Sequence, residues 1–519
     1  MQHYLRNAPA RRLTYCKSVV FKLWLVAFVV MVVVAYTHAA YAFTLLFNQS
    51  AYRGDVWIQV QDPFYASTTN NFQATYTNAT GTHSINFTDG GNQVLMSLPV
   101  KLSDIGAGGL NITFSESAVF YVFYDDPTGN SRTGPQNQMV STQRFMPFEL
   151  TMMGGAGDQG NLTAINYFTA PLSIQSYQNN PIPIQNPPEP VLQQTGFGSF
   201  TATQIGGRLA AATGGNPNAV VKDAKGKIVR YLGPSNAFSG ANPWPSFIPY
   251  TQSIFVANQN TLIQRTNGFN FPPPYQTPVY QFGANMTATA NADGSLTITG
   301  SITASTNSSV ISPNPPLPAG GAWTGATISF SVSDTNAFNN AIYGQVINSA
   351  VSFSGPAWNN FLTFTQNTLQ DPSKPHNADP KDPNYNPSLN DLGAYQTTLN
   401  MFIGEVTTGL LGGFFNSDYE PGGVPPAIKN MPSNNWWSLN PIVAFSEIQP
   451  QNPYYNIYAN VVFDTSNNTV YGVPYSDRFG SGPLVNTVNF NSTPVNYWVL
   501  GVGAPATNAL PGILMLLLD

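Results

Sequence analysis

Cysteine is almost missing from this chain: among 519 residues there is one, Cys16. Histidine is nearly as scarce, with four in all, of which His83 and His376 alone lie beyond residue 42. Neither sits in a recognisable motif, so a Ser-His-Asp triad or a zinc centre has little to be built from. Past Cys16 there is no disulfide, no thiol nucleophile and no cysteine metal ligand. Charge is thin as well, at 8% of residues. What fills the space is 44 glycines, 43 prolines, 13% aromatics and 42% hydrophobics, with Asn, Ser and Thr crowded between them. That apolar content is too high for a disordered chain. It describes a β-rich extracellular protein with many turns, whose polar surface is made of amides and hydroxyls. The chemistry left to it is that of carboxylates, with Tyr, Trp, Asn and Gln for binding, a set that suits carbohydrates.

One long hydrophobic run is present. Arg6, Arg11, Arg12, Lys17 and Lys22 precede the apolar segment Leu23–Ala35, and Ala40-Tyr41-Ala42 forms a small-x-small cleavage site. The pattern predicts a signal peptide over residues 1–42 and a secreted product, extracellular or periplasmic. The alternative is an uncleaved anchor, since Phe21–Ala42 is long enough to span a bilayer. The closing Leu510–Leu518 run is too short for that. Loss of residues 1–42 removes five of the 19 basic residues and none of the 24 acidic ones, leaving a net charge of −10. A surplus of negative charge argues against nucleic acid or an anionic membrane surface as partner.

Short strands are expected at Phe43–Asn48, Val56–Gln61, Val94–Leu98, Leu110–Phe114 and Ala118–Tyr124, separated by Asn, Asp, Gly and Pro turns. Asp125-Asp126 lies in a turn that could take a cation but has no fixed ligand spacing. A proline-rich joint follows at Asn179–Pro190. Thr201–Thr213 predicts a helix, and Val220–Asp223 with Ile228–Leu232 a hairpin. Strands are expected again over Tyr250–Pro356. The apolar spacing of Leu389–Leu411 predicts an amphipathic helix ended by Gly412-Gly413, and Pro441–Tyr458 a short helix. Val470–Tyr475, Val485–Phe490 and Val495–Val502 close the chain as strands. The expected organisation is a β domain of residues 43–178 and 455–519, with 191–454 inserted as an α/β domain carrying extra β structure over about 250–356.

The stretch Arg144–Ile174 holds Glu149, one of six glutamates in the chain. Phe145, Phe148, Leu150 and Met152 alternate around it as in a half-buried strand, and a glycine-rich turn, Gly154–Gly160, follows. Its carboxylate is either a site residue or a solvated group on a strand's outer face.

Two separated stretches resemble one family. Tyr454–Gly503, with Tyr471-Gly-Val-Pro-Tyr475-Ser-Asp477, looks like the closing segment of thaumatin-like domains and still more like that of the β-1,3-glucanases of glycoside hydrolase family 64. Phe148-Glu149-Leu150-Thr151, then Asn161-Leu-Thr163-Ala-Ile-Asn166-Tyr-Phe-Thr-Ala-Pro171-Leu172, follows that family's Glu-Phe-Thr, Asn-x-Ser/Thr and Val-Asp-x-Phe-x-Ile-Pro pattern. Thr201–Pro234 and Trp436–Asn440 fit intervening segments. The resemblance implies a mainly β fold, a thaumatin-like β-barrel or sandwich with an inserted mixed α/β region, forming a wide groove for a β-1,3-glucan strand. A monomer with no cofactor and no metal is expected. An inverting glycosidase needs a carboxylic acid that protonates the leaving oxygen and a carboxylate that activates water. The family's acid falls on Glu149. Its base falls on Asn166, which cannot take up a proton. Asp158 in the glycine-rich turn and Asp477 on the second motif are the replacement carboxylates, Asp477 also suiting a turn. Asn161, Asn166, Asp477, Trp57 and the flanked pair Trp436 and Trp437 are the expected sugar contacts. Two other functions stay open: a glucan-binding, lectin-like relative without turnover, and a non-enzymatic surface or matrix protein.

Overall fold

The structure is a computed structural model that describes residues 43–61, 72–85, 87–89, 92–93, 96–130, 138–152, 159–181, 189–236, 238, 240–270, 280–306, 317–369, 391–438, 456–473, 485–486 and 495–506. It is mainly β, with several sheets and a smaller helical part. The strands in order are β1 (Phe43–Asn48), β2 (Trp57–Gln61), β3 (Phe72–Asn78), β4 (Gly81–Ile85), β5 (Thr88–Asp89), β6 (Asn92–Gln93), β7 (Val100–Lys101), β8 (Leu110–Phe123), β9 (Phe145–Met152), β10 (Gln159–Leu162), β11 (Tyr167–Phe168), β12 (Leu172–Tyr177) and β13 (Gln193–Gly196). After α1 (Ala202–Ala212) come β14 (Val220–Lys222) and β15 (Ile228–Leu232), then α2 (Ile248–Val256). Next are β16 (Asn260–Asn270), β17 (Tyr280–Ala290), β18 (Leu296–Thr306) and β19 (Ala322–Phe330). They lead to α3 (Thr335–Gly344), β20 (Val351–Ser354), α4 (Pro356–Leu369), α5 (Asp391–Leu411), α6 (Ile457–Ser466), β21 (Val485–Asn486) and β22 (Tyr497–Val502).

Twelve strands form one sheet along the path β13-β12-β22-β1-β8-β9-β10-β21, with β2, β3, β4 and β7 branching from β8. The last strand, β22, lies between β1, to which it is parallel, and β12. Chain ends that are far apart in sequence therefore share one ladder. The path is open among the described residues, so of the expected barrel or sandwich the closed barrel is not observed. Even-numbered residues of β9 enter the core: Met146, Phe148, Leu150 and Met152 are all buried, with Phe148 stacked on Phe120 of β8 at 4.6 Å. Trp498 of β22 packs edge-on against Phe43 at 5.3 Å. Gly160 is needed here, because a Cβ would lie 2.5 Å from the Trp498 ring and against the Glu149 carbonyl.

The second region begins at β11, which leaves the large sheet to pair with β15 in the order β11-β15-β14. α1 starts in a capping box: the Thr201 hydroxyl accepts from Gln204 N and the Gln204 side chain accepts from Thr201 N. Such a box settles two otherwise orphaned amides. A five-stranded antiparallel sheet, β16-β17-β18-β19-β20, follows. α4 packs on it, Phe361 meeting Phe282 at 5.0 Å, and α5 lies against α4, Phe402 meeting Trp358 at 5.2 Å.

Several elements differ from expectation. Leu110–Phe114 and Ala118–Tyr124 are one strand, interrupted by a bulge between Ser115 and Ala118 where Ser117 takes a φ of 52°. The hairpin of β3 and β4 was not predicted, and α2, α3 and α4 stand within or beside Tyr250–Pro356, where strands were expected. Asp334 caps α3 by accepting from Asn336 N and Ala337 N, a signal that apolar alternation does not carry. Residues 441–455, most of the short helix expected before Tyr458, lie outside the described residues, and α6 begins at Ile457.

Candidate functional site

Pro147, Glu149 and Thr151 lie half-buried on the other face of β9, where Phe145 at the strand's start is buried. Register carries a row of side chains across four strands there: Gln61 of β2, Val119 of β8, Glu149 of β9 and Asn161 of β10. In antiparallel pairs directly opposed residues share a face, so the row forms a continuous strip. Gln61, Val119, Tyr121, Glu149, Thr151 and Gln159 are half-buried along it. Asn161 is deeper, at 8% exposure. One end of the strip is covered. There Tyr167 of β11 meets Phe145 edge-on at 5.3 Å, and the Arg230 guanidinium of β15 lies 4.4 Å above the Phe145 ring.

Glu149 and Asn161 touch. The Asn161 amide donates through Nδ2 to Glu149 Oε2 at 3.2 Å. Asn161 Oδ1 is buried and has no hydrogen-bond partner among the described residues, a state that costs about 1–3 kcal/mol. Tyr121, opposite Pro147, donates its hydroxyl to Gln61 Oε1 at 2.9 Å. Burial, and then the Glu149 carboxylate, push the Tyr121 phenol up. It is thus a proton donor held neutral beside the carboxylate. Sequence reasoning missed Tyr121 and Gln61; the strand patterns of Ala118–Tyr124 and Val56–Gln61 were their signals, but they do not say which strand neighbours Glu149. The bulge at Ser117 adjoins the same strip: Ser117 N donates to Thr151 Oγ1 at 3.1 Å. Glu116 stands on this bulge, half-buried, a second carboxylate on the sheet that holds Glu149.

Asn166 belongs to a different part of the fold. It is exposed on the turn into β11, where its Oδ1 accepts from the Ser235 hydroxyl at 2.8 Å. Its carbonyl accepts from Gly233 N and from Asn236 Nδ2. Its acceptor is in use, and its amide N–H groups are what it can offer a ligand. Trp436 corrects an expectation. Flanking Asn434 and Asn435 are exposed, but the Trp436 ring is 0% exposed, packed against Phe414 at 5.5 Å and Phe415 at 5.9 Å. A Cβ on Gly409 of α5 would lie 2.5 Å from it. Trp436 is a core knob seated on a glycine, not a sugar platform. Trp437 falls in the same short helix, Ser433–Ser438, and its side chain lies outside the described residues, as do Asp158 and Asp477 entirely. Trp57 is half-buried, with the Lys101 ammonium 5.7 Å from its ring centroid.

The seam above the covered end is held by Arg230, a cation with 0% exposure. Its Nη1 donates to the Gln138 and Ser141 carbonyls at 2.6 and 2.9 Å, and its Nη2 to the Gln143 carbonyl. Burial pulls its pKa down to about 10. The Asp125-Asp126 turn is closed by the protein itself: Asp125 receives both Arg144 Nε and Nη2, and Asp126 accepts from Thr128 N. Among the described residues no group of His, Cys, Asp and Glu could hold a metal ion, and no helix is long and apolar enough to cross a membrane.

No family model matches the chain, and no curated protein matches it. Solved structures do. A β-1,3-glucanase domain of glycoside hydrolase family 64 from Clostridium beijerinckii is similar at 12% identity and a TM-score of 0.39, over 89% of this chain and 98% of that one. A laminaripentaose-producing β-1,3-glucanase in complex with laminaritetraose is similar at 13% and 0.44, over 90% and 99%. The family 64 enzyme from Paenibacillus barengoltzii is similar at 12% and 0.38, over 90% and 76%. Likeness at this level says nothing about which residues act.

Proposed function

We propose that the chain is a β-1,3-glucan-directed protein, an endo-type glucanase of inverting mechanism in which Glu149 is the general acid. The observation that carries this reading is the position of Glu149: half-buried on an open polar strip, with an amide rather than a cation as its partner. Asp125, by contrast, is gripped by the Arg144 guanidinium. The family motif around it supplies the substrate class. Neutral hydroxyl, amide and phenol side chains line the strip, as a glucan strand with no charge of its own requires. The second carboxyl comes from Asp158, Asp477 or Glu116, because Asn166 cannot serve as base. The protein acts as a secreted monomer. Residues 43–178 and 455–519 form the β domain that carries Glu149, and 191–454 the inserted domain that walls the groove.

The test is incubation of the full chain with a linear β-1,3-glucan, reading both pull-down and oligosaccharide release. Release that is lost in Glu149→Gln is the expected result. Pull-down without release from the wild type would establish the lectin-like alternative, for which the Asn at position 166 is the specific observation. Neither pull-down nor release would overturn the glucan reading.

A further inference from the structure

Asp125, Asp126 and Asp334 are tied to a cation or to backbone amides; Glu149 bonds, among the described residues, to one neutral amide, and that amide is half used. Asn161 gives Nδ2 to Glu149 Oε2, while its Oδ1 is buried without a donor. The oxygen and nitrogen of an amide occupy equivalent positions after a half-turn about the last side-chain torsion. Turned that way, the oxygen would face Glu149 at the same heavy-atom separation and accept a proton carried on Oε2. The geometry thus serves both states of the carboxyl group: N–H to carboxylate when Glu149 is ionised, C=O from carboxylic acid when it is protonated. We propose that Asn161 is a positioning residue that holds Glu149 through its proton cycle by turning its amide with the proton, and is not a sugar contact. This rests on the reading of Glu149 as the general acid. A general acid must stay in place while its proton leaves and returns, and a partner that can only donate holds the protonated form only when the proton sits on the other oxygen.

Two titratable side chains of β8 lie on the face that carries the pair: Tyr121, which burial keeps neutral, and Glu116 on the bulge opposite Thr151. β2, β9 and β10, with sequences WIQVQ, FMPFELTM and QGNL, contribute no ionisable group besides Glu149 itself. Position 161 is fixed from behind by Gly160, which fits between the Glu149 carbonyl and Trp498.

The chain has six glutamates, so carboxyl-13C-labelled glutamate gives a spectrum in which Glu149 can be assigned by its loss in Glu149→Gln. Full-length protein, also labelled at asparagine side-chain nitrogen, is titrated without glucan. The Asn161 Nδ2 signal is expected to shift with the same midpoint as the Glu149 carboxyl, and Asn161→Asp, which puts two carboxyls together, to raise that midpoint by about one unit or more. An Asn161 signal that stays constant through the Glu149 transition, or a Glu149 midpoint unmoved by Asn161→Asp, would overturn the proposal. Kinetics on β-1,3-glucan give the second arm. Asn161→Leu is expected to lower kcat about 10- to 100-fold with KM changed less than about twofold. A raised KM with kcat intact makes Asn161 a sugar contact and overturns the proposal. Inactive wild type, with the titration as expected, sinks the glucanase reading and leaves the coupling of the two side chains standing.

Discussion

Two carboxylates of the β8–β9 pair, one just past its end and one within it, show how this protein divides its few charges. Asp125, just past β8, is gripped by the Arg144 guanidinium and also receives Arg144 N at 2.8 Å. Glu149, inside β9, has an amide donor and a phenol nearby. The first arrangement uses every oxygen and fixes the start of β9. The second leaves a carboxyl group on an open face, with an unpartnered oxygen beside it. Among the described residues no cation pairs with Glu149, and that is the feature on which the proposed division between a chemical and a structural carboxylate rests.

The comparison predicts a double dissociation. Glu149→Gln should reduce glucan hydrolysis about 100- to 10,000-fold and leave the melting temperature nearly unchanged, as read by reducing-end assay and calorimetry. Asp125→Asn should do the reverse, costing about 1–2 kcal/mol of stability after allowance for its partial exposure, with hydrolysis by the remaining folded protein unchanged. Loss of activity in both, or in neither, would break the distinction.

Trp436 sharpens it from the binding side. As a buried knob, Trp436→Ala should cost about 3–5 kcal/mol by denaturant unfolding. Trp436→Phe should keep glucan pull-down, since no ring face is offered to solvent. Weakened pull-down with stability intact would restore it as a sugar platform.

The smallest effect expected is on alkaline stability. Burial lifts the phenols of Tyr124 and Tyr343 far above their usual value and that of Tyr231 up to about 12. A folded pKa above the unfolded one means that the contribution is complete below about pH 10, where the unfolded phenols are still neutral. It is lost as pH rises from about 10 towards about 12. Melting temperature should therefore fall across that range, with tyrosinate absorbance at 295 nm rising as the chain unfolds rather than before it.

Much of the large sheet was legible because its strands carry alternation with turn residues between them. Phe43–Asn48 is met to the residue, and the 220–232 hairpin and the α5 helix fall within two residues of expectation. The helices between 248 and 369 were not, because α2 and α4 carry Pro and amide residues that read as turns, and α3 depends on a single capping aspartate. At the site, the motif pointed to Glu149 and Asn161 but not to their contact, which is a matter of β9–β10 register. Tyr121 and Gln61 were hidden for the same reason: cross-strand neighbours 28 and 88 residues from Glu149 are set by long-range pairing. Trp436 misled because polar neighbours in sequence do not stop one side chain of a short helix from turning into the core.

The central claim, that Glu149 is the acid of a glucanase, is tested most directly by single-turnover hydrolysis of a reducing-end-labelled laminari-oligosaccharide by wild type and Glu149→Gln. The account predicts cleavage by the wild type, cleavage at least about 100-fold slower in Glu149→Gln, and equal binding of the oligosaccharide by both. Equal cleavage rates in the two proteins would contradict it.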